Sequence, residues 1–305
     1  MRTFAGISAA AVLATTLSAA EPARPAITGI SHLAVYTADP AASEDYYGRI
    51  LGGRKAPDPE DAHGVRYYFS AQQFIEVLPL GPNLGLSRMA HVGWNTKDAA
   101  ALRTYLIAHK YPGVSALQHG PDGALWFSTQ DPEGNEVQFV QPATADAKPE
   151  PGAISGRIIH IGYMVHDRAA EDRFYRDLLG FRPYWHGAMK PDATDWVSQQ
   201  APDGHDWLEY MMVGPGSTTP LDHVDARELG VLNHFSLGVK NMEAAVTVLI
   251  GGNRLSPRHD GPSMGLDGKW QANLYDPDGT RAELMEFKPV TKPCCSEFTA
   301  ESPSG

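Results

Sequence analysis

Histidine recurs at one position in four similar stretches of this chain: His32 in 30–35, His91 in 89–94, His160 in 158–163 and His234 in 232–237. Each is the third residue of a short apolar run that reads as a strand. Two residues further on, and so on the same strand face, stand Ala34, Gly93, Gly162 and Ser236. Small neighbours leave open space above an imidazole, which a ligand site needs and a packed core does not. Oxygen donors recur as well. Residues 74–82 align without a gap on 207–215, which sets Glu76 opposite Glu209. Gln138 follows Asp131 by seven residues, as Glu283 follows Asp276. A carboxylate inside an apolar strand is costly to bury unless something cationic meets it. Imidazoles and carboxylates without a thiolate suit Zn, Ni, Co, Mn or Fe(II).

The elements that must position these side chains follow from punctuation in the sequence. Asp131-Pro132-Glu133-Gly134 and Asp276-Pro277-Asp278-Gly279 each fit a type I turn, with Pro fixing the second position and Gly closing the fourth. A strand should therefore begin at Thr280, with Arg281, Glu283 and Met285 on one face. Each histidine strand precedes a helix. Asp39 with Pro40 opens one that runs to Leu51 and Gly52, and Asp167 opens one that runs to Leu179 and Gly180. The other two cover about Asp98 to Lys110 and Met242 to Ile250. Short aromatic and β-branched runs follow every helix. The order strand, helix, strands repeats four times, which predicts an α+β chain of βαβββ modules paired into two cup-shaped mixed-sheet domains, 27–142 and 157–289, joined by a linker at 143–156.

The ends read differently. Residues 1–20 have Arg2, an uncharged apolar core from Phe4 to Leu17 and small residues before Glu21, the pattern of a cleaved leader, so the mature protein is expected to be exported, periplasmic or secreted, without a membrane span. Residues 290–305 read as a mobile tail. Its adjacent Cys294 and Cys295 are expected to stay unbridged, since disulfide geometry needs converging Cβ vectors. The net charge of −11 over 305 residues argues against nucleic acid or an anionic membrane as partner. A small molecule remains, bound by a monomer or homodimer.

On these residues the chain resembles the vicinal oxygen chelate superfamily, the group of glyoxalases, bleomycin-resistance proteins and extradiol dioxygenases. The resemblance spans about 27–289 and rests on the four modules, the strand histidines and the turns before Gln138 and Glu283. It implies a cup in each half and one divalent ion in the second half, held by His160, Glu209, His234 and Glu283. A second, weaker ion would lie among His32, Glu76, His91 and Gln138, where a neutral amide replaces one carboxylate. By the same resemblance the activity would be a glyoxalase-like isomerisation or lyase step on a substrate with two adjacent oxygens, with Glu283 or Glu209 as base. An extradiol dioxygenase is the alternative, with His160, His234 and Glu283 as triad and His205 as acid or base. Asn273 stands where such dioxygenases carry a catalytic Tyr. A ligand-sequestering protein without chemistry is a further alternative. Whether modules pair within or across the halves is open at this level.

Overall fold

The computed structural model describes residues 22–82, 87–143, 148–220 and 231–305. The expected leader at 1–20 lies outside the described residues, and among these no helix is long and apolar enough to cross a membrane. Four modules follow one another. The first holds β1 (Ile27–Thr37), α1 (Pro40–Glu44), β2 (Arg54–Pro57), β3 (Val65–Tyr68) and β4 (Phe74–Pro79). The second holds β5 (Met89–Thr96), α2 (Ala99–Ala108), β6 (Gln118–His119), β7 (Leu125–Gln130) and β8 (Glu136–Gln141). The third holds β9 (Ile158–Val165), α3 (Arg168–Asp172), β10 (Arg182–Gly187), β11 (Trp196–Gln200) and β12 (Trp207–Met212). The fourth holds β13 (Leu232–Val239), α4 (Met242–Gly251), β14 (His259–Met264), β15 (Trp270–Tyr275) and β16 (Arg281–Glu286).

Modules pair within each half. The strand orders are β2-β3-β4-β1-β5-β8-β7-β6 and β10-β11-β12-β9-β13-β16-β15-β14, two curled eight-stranded mixed sheets of the same topology. The histidine strands form the middle of each sheet, antiparallel to one another, and each runs parallel to the last strand of its own module. That arrangement places all four donor strands of a half side by side.

Local signals explain the helix boundaries. Asp39, Asp98, Asp167 and Asn241 each accept a backbone N–H three residues on, at 2.8 to 3.0 Å, satisfying one of the free donors of a helix start. The helices α1 and α3 then widen over Asp45–Ile50 and Arg173–Leu178, where Leu51 N–H bonds Tyr46 O and Leu179 N–H bonds Phe174 O, five residues back. Gly52 and Gly180 stop them with φ of +78° and +80°.

The two Asp-Pro-x-Gly turns close as predicted, Gly134 N–H on Asp131 O and Gly279 N–H on Asp276 O, both at 3.0 Å. Strand β16 opens at Arg281, one residue after the expected Thr280. The turns also join the halves: Tyr47 Oη of α1's extension donates to Asp276 Oδ2 at 2.9 Å, and Tyr163 Oη of β9 donates to Asp131 Oδ2 at 3.2 Å. One apolar cluster runs through both halves, from Leu33 and Trp94 to Phe235 and Leu284, and a smaller one gathers Tyr184, Trp185, Trp207 and Phe287 in the second half.

Two expectations about the C-terminal segment fail. It packs rather than floats: Phe298 stacks near Tyr184 and Trp185, Thr299 N–H reaches Tyr184 O at 3.0 Å, and Gln200 donates to Glu301 O at 2.9 Å. An aromatic residue that covers apolar rings offsets the ordering cost of a short segment, and no periodic pattern announces it. Cys294 and Cys295 are joined by a disulfide, with the backbone of Cys294 tied to Leu266 O and to the Trp185 indole.

Candidate metal centre

The antiparallel register of β9 and β13 sets His234 opposite Gly162 and Ser236 opposite His160. A Cβ on Gly162 would lie 2.3 Å from His234 Cε1, so the glycine is not space left for a ligand but room for the partner imidazole. The consequence is convergence: His160 Nε2 and His234 Nε2 stand 2.7 Å apart, ring planes at 85°. Two carboxylates reach the same point. Glu283 Oε2 lies 3.3 Å from His160 Nε2 and 3.9 Å from His234 Nε2, and Glu209 Oε2 lies 3.5 Å from His234 Nε2 and 3.9 Å from His160 Nε2. One donor atom each from His160, His234 and Glu283 falls within 4.8 Å of the others.

The electrostatics favour ligation. Burial lowers His160, and burial with the Arg281 charge lowers His234 well below the ordinary imidazole value, so both rings are neutral and offer lone pairs. Asn233 Oδ1 lies 2.9 Å from His234 Nδ1 and accepts from Arg281 Nη2 at 2.6 Å. With His234 Nδ1–H donating to Asn233, Nε2 is left free to face the site. Burial pushes Glu209 up to about 8, with the neighbouring Glu283 charge adding to it. Against its burial, the Arg281 charge and the Ser236 hydroxyl favour the charged form of Glu283. Glu283 Oε2 is buried with no hydrogen-bond partner. An orphaned carboxylate oxygen facing two neutral imidazoles fits a divalent ion, which would satisfy all of them together.

A cavity of about 370 Å³ opens above these donors. Trp185, Trp196, Met211 and Phe298 wall it, while Glu209, Glu283, His234 and Arg281 lie along its polar side. Three more groups lie in or under this wall, of which the sequence pattern places only Arg281, on the face of Glu283. Arg281 donates to Asn233 Oδ1, the oxygen that backs His234 Nδ1. Asp267 lines the cavity, 3.9 Å from the fully buried Lys269 ammonium, which rests over Trp207 at 4.6 Å. Burial brings Lys269 down to about 8 against the pull of Asp267, Glu209 and Glu283. In sequence, Asp267-Gly268-Lys269 reads as a plain surface turn, and only the fold carries it inward.

The other half repeats the scaffold with different contents. His32 lies opposite Gly93, and His32 Nε2 meets His91 Nε2 at 2.8 Å. Glu76 Oε2 lies 3.3 Å from His91 Nε2, so His32, Glu76 and His91 also form a three-donor group. Gln138 Nε2 donates to Glu60 Oε2 at 2.7 Å, and Gln138 Oε1 is buried without a hydrogen-bond partner. Arg66 fills the space, with Nη2 3.0 Å from Asp58 Oδ1 and 3.2 Å from Glu76 Oε1, and paired with Glu60.

His205 is not brought to the site. It is exposed, with Nδ1 3.3 Å from the backbone oxygen of Glu301, and it does not line the cavity. Asn273 and Tyr275 share a face of β15, and both donate to Asp260, at 2.5 and 3.0 Å. A larger cleft between the halves, about 710 Å³, is lined by Gln73, Asp206 and Arg157 among others. Gln73 is bonded to Ile30 O and Ile158 O, and Arg157 to Asp206, so these groups are already paired and form no ligand set.

Comparison with known proteins matches family models at both halves. Residues 29–139 match the glyoxalase model and 159–253 a second model, both of the glyoxalase/bleomycin resistance protein/dioxygenase superfamily. The chain belongs to this superfamily. No curated protein sequence matches it. Solved structures of the superfamily's fold share its architecture at low identity. A catechol 2,3-dioxygenase superposes with a TM-score of 0.63 at 18% identity, covering 92% of this chain and 99% of its own. The 2,3-dioxygenase LapB from Pseudomonas sp. KL28 gives 0.62 at 16%, covering 89% and 99%. Homoprotocatechuate 2,3-dioxygenase from Brevibacterium fuscum, in complex with 3,4-dihydroxyphenylacetate, gives 0.64 at 16%, covering 93% and 85%. At such identity these likenesses establish the fold, and the chemistry has to be read from the site's own residues.

Proposed function

We propose that this superfamily member is a divalent-metal enzyme whose second half catalyses a non-oxidative isomerisation or lyase step on a small substrate with two adjacent oxygens. The observation that carries the reading is the position of Glu209, 3.5 Å from one site imidazole and 3.9 Å from the other, nearly mirroring Glu283. His160, His234, Glu209 and Glu283 would hold the ion, and the ion would supply Lewis-acid polarisation of the substrate oxygens. The chain's own residues do the rest. Glu209, on the polar side of the cavity, takes a proton from the carbon beside the polarised carbonyl and returns it to the neighbouring atom. Asn233 fixes the tautomer of His234. The walls of Trp185, Trp196 and Phe298 exclude water and favour an apolar or aromatic body on the substrate.

A dioxygenase reading is favoured by two observations: His160, His234 and Glu283 form the tighter donor group, and the solved relatives above are ring-cleaving enzymes. Against it, His205 stands outside the cavity and Asn273 is turned to Asp260. The test is an anaerobic screen of the metal-loaded enzyme on hydroxycarbonyl compounds and catechols, with oxygen uptake followed in parallel. Turnover without oxygen is the expected result. Ring cleavage of a catechol with stoichiometric oxygen consumption would reject the non-oxidative reading and make Glu209 a neighbour of the ion rather than a ligand. Export of the mature protein, read from residues 1–20, is part of the same proposal, and fractionation of the source cells checks it.

A further inference from the structure

The two cups differ at one register position. In the second half Ser198 of β11 lies opposite Glu209 of β12, and in the first half Arg66 of β3 lies opposite Glu76 of β4. A small hydroxyl in one cup therefore corresponds to a long cation in the other. Ser198 Oγ reaches Glu209 Oε1 only at 3.4 Å and leaves the cavity open beside it. Arg66 is buried, with Nε and Nη2 at 3.3 and 3.2 Å from Glu76 Oε1, and its guanidinium lies 4.3 Å over the ring of Phe74, which in turn stacks on His32.

The rest of the first cup is arranged around that cation. Asp58 and Glu60, from the connection between β2 and β3, both pair with it. Gln138, at the place Glu283 holds in the other half, gives its amide N–H to Glu60, and its own oxygen is buried without a hydrogen-bond partner. We infer that Arg66 is the resident cation of the first cup, taking by covalent attachment the place that a divalent ion takes in the second. Asp58, Glu60 and Glu76 each set one oxygen on the guanidinium, and an ion bound at Glu76 would have to share that carboxylate with a fixed positive charge. The donor group His32, Glu76 and His91 is accordingly a metal site closed by its own chain. The first cup serves structure, and the second alone takes an ion.

This comparison of cups rests on the second being the metal centre, and the experiment separates the two claims. Full-length protein is purified without chelator, equilibrated with Zn(II) and desalted, and metal per chain is measured together with Tm. Wild type should carry one ion. Arg66→Ser and Arg66→Met should each rise to two, with the added ion lost again on His91→Ala. Ser198→Arg should fall to none while Tm stays near that of the apo wild type. Wild type that already holds two ions, or folded Arg66 variants that stay at the wild-type stoichiometry, would overturn the inference. Wild type with no ion but Arg66→Ser with one would uphold it while sinking the second-cup reading. Should neither Arg66 variant fold, Ser198→Arg decides: loss of the ion from a folded chain supports the closing role of a guanidinium at this register, and retention overturns it.

Discussion

Glu209 and Asn233 separate catalysis from metal holding at the level of single residues. Replacing Glu209 by Gln removes the base while leaving an oxygen donor, so at saturating metal kcat should fall by roughly 10²–10⁴, the usual worth of general acid–base catalysis, while the neutral amide holds the ion less tightly. Equal activity in the variant would remove Glu209 from the proton step. Asn233→Leu deletes the acceptor for His234 Nδ1–H, 2.9 Å away, and metal affinity should drop about 10–100-fold, as loss of such outer partners does elsewhere. Competition with a chromophoric chelator reads this directly. The histidine pairs were legible in the sequence because four copies recur in register. The small residues beside them were legible as a pattern but not in meaning, because only strand register shows that Gly93 and Gly162 each admit the ring of the opposite strand. Arg66 was hidden by a loop: the gapless alignment of Glu76 on Glu209 carries Arg66 onto Gln199, whereas the connection 201–206 is one residue longer than 69–73 and shifts the pairing to Ser198.

At the level of elements, the turn at Asp131 is the joint between halves, and its charge state is a stability term. Glu171, at the start of the α3 helix, is fully buried against Asp131 and Glu133, and it accepts the Glu133 N–H at 3.2 Å. Burial first, then those two charges, raise its carboxyl from 4.5 to about 9. The folded state then binds a proton that the unfolded chain has released, so stability is greatest below the unfolded value and falls as pH rises through that window, by at most about 1.4 kcal/mol per pH unit. Glu171→Gln keeps the shape without the charge. Its Tm should exceed that of wild type by several degrees near pH 8 and match it near pH 5, and parallel pH profiles would contradict this assignment. The helices and turns themselves were readable from Asp39, Asp98, Asp167, Pro40 and the glycine stops, since capping acts locally. Their joining of halves was not, because Tyr47 with Asp276 and Tyr163 with Asp131 lie far apart in sequence.

For the whole molecule, duplication supplied two cups and divergence of a few side chains distinguishes them. The tail completes the second cup. Phe298→Ala should open the cavity wall and raise KM about 10-fold or more, with metal content unchanged, as loss of a buried aromatic contact worth 1–3 kcal/mol implies. A KM unchanged in that variant would leave the tail with a purely structural part. The tail's packing could not be foreseen from composition, because Phe298 is a lone aromatic in a stretch of Pro, Ser and Cys. The central claim is that one divalent ion sits where β9, β12, β13 and β16 converge. Anomalous scattering from crystals of Zn-loaded protein measures this most directly. The account predicts a single strong peak about 2.0–2.2 Å from His160 Nε2, His234 Nε2 and the carboxylates of Glu283 and Glu209. A peak between His32 and His91 with none at His160 and His234 would contradict it.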